Sequence, residues 1–320
     1  MQESHPMTNA TTRPDADGNY DVAIVGGGPA WLSAAVWLAR FERSVVVVDS
    51  GDPRNWETRG INGFLGLPKI KPPTLRAAGR DECRRYGVQL IDQEVCLARR
   101  NGDGMFELEL ADGRALSARR LLLAIGIKDV WPEIPGLAAC YGESVHVCPD
   151  CDGYEAKGKK TVIIGTGRRA VGMALALANW TDEIIICMNC EAQDLSEEML
   201  AQLQKLNIPV LCERVRSVSS TDSDVSCIQL EGGMQLDCER IFFSLGQHPA
   251  DDLGKQLRCE RDEAGLIVVD KAQRTSVKHV YAAGDITPGP QLAISAAAEG
   301  SVAAIAIHKS LLPEELRMPD

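Results

Sequence analysis

Apolar residues in this chain fall into short runs closed by glycines. DVAIV, from Asp21 to Val25, runs into Gly26-Gly27-Gly28; a longer apolar stretch follows from Ala30 to Arg40, and SVVVVD from Ser44 to Asp49 is again continuous. Strand-length apolar runs bounded by turn residues predict buried strands, and the longer stretch between them predicts a helix, so the segment forms one β-α-β unit. The pattern recurs 139 residues later as TVIIGTGRRAVGMALALANWTDEIIICMN. A duplicated unit says more than either copy alone, and it predicts an α/β chain built from two Rossmann-like domains. LLLAIG (Leu121 to Gly126) and IFFSLG (Ile241 to Gly246) are strand-then-glycine segments of the kind expected where the chain crosses between domains. A last strand, HVYAAGD from His279 to Asp285, leads through TPGPQ into an alanine-rich helix predicted over about Leu292 to Leu311.

The two glycine turns differ in chemistry. In the first, Gly26 and Gly28 stand where small residues let the backbone approach a pyrophosphate at a helix N-terminus. Asp49 follows Gly28 by 21 residues, the spacing at which an acid ending the second strand accepts from a ribose diol. The third loop position ordinarily holds Gly or Ala, for close helix-strand packing, and here it is Trp31. A helix packed on a strand with no nucleotide is the plain alternative. In the second turn Gly165, Gly167 and Ala170 fill all three positions, but the residue 21 beyond Gly167 is Met188, followed by Asn189, Cys190 and Glu191. Met188 neither accepts from a 2′-hydroxyl nor binds a 2′-phosphate, so the first copy is expected to hold an adenosine ribose and the second to lack the anchors for NADH and NADPH.

The chain has 320 residues, enough for two domains, and a formal net charge of −11, which disfavours nucleic acid as a partner. Its apolar runs fall far short of the roughly 20 residues a membrane span needs, and its polar first 18 residues lack a signal-peptide pattern, so cytoplasmic residence is the default expectation. Eleven cysteines are spread along the chain, which argues against a disulfide scaffold. Four form two C-x-x-C pairs, Cys148 with Cys151 and Cys187 with Cys190. A C-x-x-C beside nucleotide-binding units favours dithiol-disulfide exchange, and Asp152, directly after the pair, is placed to give or take the proton each step needs.

Two β-α-β fingerprints, a C-x-x-C-D-G between them in HVCPDCDGYE (His146 to Glu155), and a terminal A-A-G-D strand entering an alanine-rich helix resemble the low-molecular-weight thioredoxin reductases over Tyr20 to Leu311. The resemblance implies an FAD-binding domain over 20–134 and 246–312, interrupted by a smaller redox-disulfide domain over 135–245 with a degenerate NAD(P)-type fold, after a disordered tail over 1–19. It implies that Gly26, Gly28 and Asp49 hold the ADP part of FAD, and that Gly284 with Asp285 contacts its ribityl-pyrophosphate side. Cys151 would face the flavin as its thiolate partner, Cys148 would attack the substrate disulfide, and Asp152 would act as acid and base. The family's basic H-R-R motif for NADPH falls on Met188, Asn189 and Cys190, and its R-Q-A on Gln291, Leu292 and Ala293. These departures resemble the deeply branching, pyridine-nucleotide-independent members, for which ferredoxin is a donor. A thioredoxin-like protein or a small disulfide is the implied partner, and a homodimer the implied assembly. The same parts run backwards describe a dithiol oxidase that delivers electrons to oxygen, and a non-catalytic flavoprotein scaffold or sensor is the alternative outside catalysis.

Other residues carry open alternatives. Cys187 and Cys190 with Cys148 and Cys151 make a four-cysteine zinc set on paper, but the 35 residues between the pairs exceed a zinc ribbon's spacing and contain a whole glycine turn and helix, so no metal is expected. A second redox pair, or simply a buried Cys187, are the other readings. Arg168 and Arg169 could meet a phosphate or be solvated. Lys157, Lys159 and Lys160 could face an acidic partner or merely surround a turn. His146, two residues before Cys148, could lower a thiol pKa, shuttle a proton or point away. The other seven cysteines are expected to be apolar fillers.

Overall fold

The computed structural model describes residues 13–54, 56–188 and 195–316. Asn189, Cys190 and Glu191, and residues 1–12 of the expected tail, lie outside them. In chain order, β1 (Tyr20–Val25), α1 (Pro29–Arg40), β2 (Val45–Asp49), α2 (Pro72–Arg85), β3 (Gln89–Asp92), β4 (Val95–Arg100), β5 (Phe106–Leu110), β6 (Ala115–Leu123) and β7 (Ile127–Asp129) come first. Then follow β8 (Val145–His146), α3 (Pro149–Asp152), β9 (Thr161–Gly165), α4 (Gly167–Leu177), β10 (Ile184–Cys187), α5 (Glu197–Lys205), β11 (Val210–Leu211), β12 (Val215–Thr221), β13 (Asp224–Leu230), β14 (Gln235–Asp237) and β15 (Arg240–Ser244). The last elements are β16 (Gln247–Pro249), α6 (Leu253–Gln256), β17 (Val280–Ala282) and α7 (Ala293–Ser310). Two compact units result: residues 1–56, 73–128 and 248–320 form one, and residues 57–72 and 129–247 the other.

Among the described residues the first unit is organised on a seven-stranded sheet in the order β3-β2-β1-β6-β5-β4, with β17 also on β6. Strand β6 pairs with β1 in parallel along one side. On its other side its first half pairs antiparallel with β5 and Leu121 to Leu123 pair in parallel with β17. Alternate residues of the central strands serve two cores, as the period of two requires. Val22, Ile24, Val45, Val47 and Leu122 join α1 and α7 on one face; Ala23, Val25, Val46, Val48, Leu121 and Leu123 face the other. Both faces are covered, and so these strands read in the sequence as unbroken apolar runs.

The second unit repeats the plan more compactly, with a five-stranded parallel sheet in the order β11-β10-β9-β15-β8 and a three-stranded β12-β13-β14 sheet. Ile163, Ile184, Ile186 and Phe242 share a core with residues of α4, while Val162, Ile164, Cys187, Ile241 and Phe243 share one with residues of β12 and β13. Among the described residues no helix is long and apolar enough to cross a membrane.

Candidate functional site

In the first unit the five residues expected at the flavin lie along the C-terminal edge of the sheet. Gly26 leaves β1 with φ +145°, and a Cβ there would stand 2.0 Å from the carbonyl oxygen of Ala124, so only glycine fits the turn. Gly28 is the N-cap of α1, with Pro29 behind it and no side-chain cap, and open space surrounds the position a Cβ would take. The uncapped first-turn N–H groups and the dipole of a twelve-residue helix make that space favourable for an anion. Gly284 has φ +83°, and a Cβ on it would be 3.0 Å from the Ala30 Cβ, so the turn after β17 adjoins the start of α1. Glu299 on α7 clamps that turn: its Oε2 accepts from the Gly284 N–H at 2.7 Å and from the Thr287 hydroxyl at 3.1 Å. Burial pushes the Glu299 carboxyl up despite these bonds. Asp285 is ion-paired with Arg54 at 3.1 Å, and Arg54 also donates to Gln291 Oε1 at 3.0 Å.

Asp49 is 1% exposed and is held by residues the sequence did not point to. Its Oδ2 accepts from Arg76 and, at 3.0 Å, from Arg80, both on α2; its Oδ1 accepts from the Gly51 N–H at 2.9 Å. A carboxylate offers about four acceptor positions. Three are taken, which leaves room for one hydroxyl donor. Among the described residues the Arg76 Nε is buried without a hydrogen-bond partner, while its guanidinium lies 5.7 Å from the centre of the Trp56 ring. An open helix N-terminus, a glycine turn that nothing larger can occupy, an acid with spare acceptor capacity and an unpartnered guanidinium nitrogen fit the ADP portion of FAD.

Trp31 is a core residue. It is fully buried among Ile24, Leu38, Ala283 and their neighbours, and its indole Nε1 has no hydrogen-bond partner among the described residues. Close helix packing has moved to the adjacent position, where a Cβ on Gly300 of α7 would lie 2.0 Å from the Ala30 carbonyl oxygen.

In the second unit Cys148 and Cys151 form a disulfide with a Cα-Cα distance of 5.3 Å. Cys148 is the N-cap of α3, and its Sγ accepts from the Cys151 N–H at 3.1 Å. That donor would favour the thiolate form of Cys148 once the bond opens. Gly153 is needed for a close approach, since a Cβ there would lie 2.4 Å from the Trp180 ring. Asn62 Nδ2 donates to the Cys151 carbonyl at 3.1 Å and to Asp152 Oδ1 at 3.3 Å. Asp152 Oδ2 faces His146 Nδ1 at 3.5 Å; His146 is 5% exposed and lies against the Phe242 ring. Three residues on from Asp152, Glu155 meets Lys69 at 3.4 Å.

The second glycine turn keeps its tight geometry, with Gly165 packed against Ala170 and the Ser244 carbonyl. Met188, after β10, is buried and its N–H donates to the Leu211 carbonyl. Arg168 and Arg169 are exposed, and Arg169 Nη1 donates to the Leu245 carbonyl at 3.5 Å. Lys159 pairs with Glu239 at 2.6 Å. Cys187 is fully buried, and burial pushes its thiol up to about 12. Of the seven cysteines expected as fillers, Cys83, Cys140, Cys227, Cys238 and Cys259 are buried; Cys96 and Cys212 are exposed and fill nothing. No group of three or more His, Cys, Asp or Glu among the described residues is arranged to hold a metal ion.

A Rossmann-type unit whose glycine turn and acid fit the ADP part of FAD, beside a second unit that carries a C-x-x-C disulfide, has the features of a flavin-dependent disulfide oxidoreductase. Residues 20–300 match the family model described as pyridine nucleotide-disulphide oxidoreductase. The chain belongs to that family, an FAD-binding class of enzymes. It is 28% identical to thioredoxin reductase aclD of Aspergillus oryzae over 92% of this chain and 98% of that one. The F component of alkyl hydroperoxide reductase in Xanthomonas campestris pv. phaseoli is 28% identical over 92% of this chain and 57% of its own length. The chain thus spans less than two thirds of that relative. Among solved structures, HlmI is 34% identical with a TM-score of 0.87, covering 92% of this chain and 93% of that one. A Bacillus anthracis protein described as thioredoxin reductase TrxB is 31% identical with a TM-score of 0.84, covering 91% and 98%.

Proposed function

We propose that this enzyme is a thioredoxin reductase-like disulfide reductase, in which the Cys148-Cys151 pair passes two electrons to a thioredoxin-like protein or a small disulfide. The observation that carries the reading is the disulfide itself, closed at the N-cap of α3 with the Asp152 carboxylate in the same turn. Bound FAD supplies the two-electron reduction of that disulfide; Gly26, Gly28, Asp49, Gly284 and Asp285 would hold it. The protein's own chemistry is exchange. The Cys148 thiol gives its proton to Asp152 and its sulfur attacks the substrate S–S bond. One half of the substrate is joined to Cys148, and the other leaves as a thiolate that takes the proton from Asp152. Cys151 then loses its proton in the same way and attacks the Cys148 sulfur. The internal disulfide closes and the second half leaves as a thiol. Two electrons and two protons pass from the dithiol to the substrate, and nothing else is consumed.

The donor in this proposal is not NADPH, and a reduced ferredoxin is the partner the family resemblance suggests. Buried Met188 supports it, because the strand end that should present a ribose or phosphate anchor presents a thioether. A homodimer in the cytoplasm is the proposed setting. The test is anaerobic: dithionite or reduced ferredoxin is expected to bleach the flavin and support reduction of a small disulfide, and NADPH at micromolar concentration is expected to do neither. Rapid bleaching by NADPH overturns the donor assignment. Hydrogen peroxide release on addition of dithiols, without disulfide reduction, would instead favour the oxidase direction.

A further inference from the structure

Outside the roles already given, the second unit contains a buried imidazole that no packing argument accounts for. His146 ends β8 with 5% exposure. Its Nδ1 lies 3.5 Å from Asp152 Oδ2, and its Nε2 is buried with no hydrogen-bond partner among the described residues. Burying an unpartnered polar atom is costly, and an apolar side chain against Phe242 would not carry that cost. The two oxygens of Asp152 are also unequal. Oδ1 accepts from Asn62, whose amide fixes it as an acceptor. Oδ2 is therefore the oxygen left to carry a transferred proton, and His146 is the group that faces it.

We infer that His146 is a positioning residue for disulfide exchange, holding Asp152 so that Oδ2 takes the cysteine proton and returns it to the leaving thiolate. This inference rests on the exchange chemistry proposed above. Asn62 donates to the other oxygen of Asp152, and the Phe242 ring lies against the imidazole.

The test follows reoxidation of the two-electron-reduced, FAD-loaded protein by 2-hydroxyethyl disulfide, whose alkyl thiolate needs a proton to leave. An aromatic disulfide, dithiobis(nitrobenzoate), serves as the control because its leaving thiolate needs none. H146F is expected to lose about tenfold in rate with the alkyl substrate and less than twofold with the aromatic one. H146N, which keeps an amide near the Nδ1 position, is expected to restore most of the alkyl rate. In a D152N background, H146F is expected to add less than a twofold effect. An unchanged alkyl rate in H146F overturns the inference, and so does a loss of equal size with both substrates or in the D152N background. C148S separates the two levels: if it retains full activity, the exchange reading fails whatever the His146 variants do.

Discussion

Replacing Trp31 by glycine, the residue a dinucleotide-binding loop ordinarily carries at that position, is expected to damage the protein. A fully buried tryptophan removes some 200–250 Å² from water, which at about 25 cal/mol per Å² is about 5–6 kcal/mol. Residual burial in the unfolded chain lowers this to about 3–5 kcal/mol. Removing the unpartnered Nε1 returns about 1–2 kcal/mol, and glycine inside a helix costs about 1 kcal/mol more. The net loss for W31G is about 3–4 kcal/mol, a large part of the 5–15 kcal/mol typical of a folded domain. W31F behaves differently: it gives up a smaller area, about 1 kcal/mol, while removing the same unpartnered donor, so its stability is expected within about 1 kcal/mol of wild type. Urea unfolding of the flavin-free protein, followed by circular dichroism, measures both. A W31G midpoint equal to wild type would mean that the ring is not part of the core. W31F as unstable as W31G would mean that Nε1 has a partner, and either result refutes the reasoning.

Three further outcomes are expected. Burial pushes the Asp251 carboxyl up to about 6, with Asp252 and Glu94 adding to the rise. Between its ordinary value of 3.8 and about 6 the folded chain holds a proton that the unfolded chain has lost, so this contribution is full below 3.8 and is lost as pH rises through 6. D251N keeps an acceptor for the Leu253 N–H and is expected to be more stable than wild type by about 2–3 kcal/mol at pH 7, with the gap closing below pH 4; a gap independent of pH counts against the burial. Thiol labelling of the native oxidised protein with peptide mapping is expected to mark Cys96 and Cys212 quickly and to spare Cys83, Cys187 and Cys238, whose thiols burial pushes up to about 12; fast labelling of those three would contradict the packing. G153A forces a methyl group into the Trp180 ring and is expected to cost about 1–3 kcal/mol and to slow disulfide exchange; a variant unchanged in both would show that the ring moves aside freely.

Much of the site was legible because its chemistry is local. Cys148, Cys151 and Asp152 fall within one turn of chain, and their meaning needs only the spacing of sulfurs that can bond. Asp49 was legible through a fixed register, since a strand, a turn, a helix and a strand place the second strand's end at a set count from the glycines. The same count exposed Met188. The partners were not legible, because each is a long-range contact between segments that carry no motif. Arg76 and Arg80 lie 27 and 31 residues from the acid they bind. Asn62 lies 90 residues from Asp152. Nothing in residues 57–72 announces that they cluster with the second unit. A hint was present only in α2, where arginines four apart stand on the face that also buries Cys83.

The sequence alone determined that this chain is a doubled α/β protein with a C-x-x-C pair between two glycine turns and an acid at the ribose-binding spacing after the first, because backbone periodicity and short-range spacing carry that information through any packing of the rest. Only tertiary structure decided that Trp31 is core, that Asp49 keeps one acceptor position after two arginines and the Gly51 N–H are served, and that His146 faces Asp152. Those outcomes depend on which distant side chains compete for the same volume and the same lone pairs, and the competition exists only once the sheets and helices have come together.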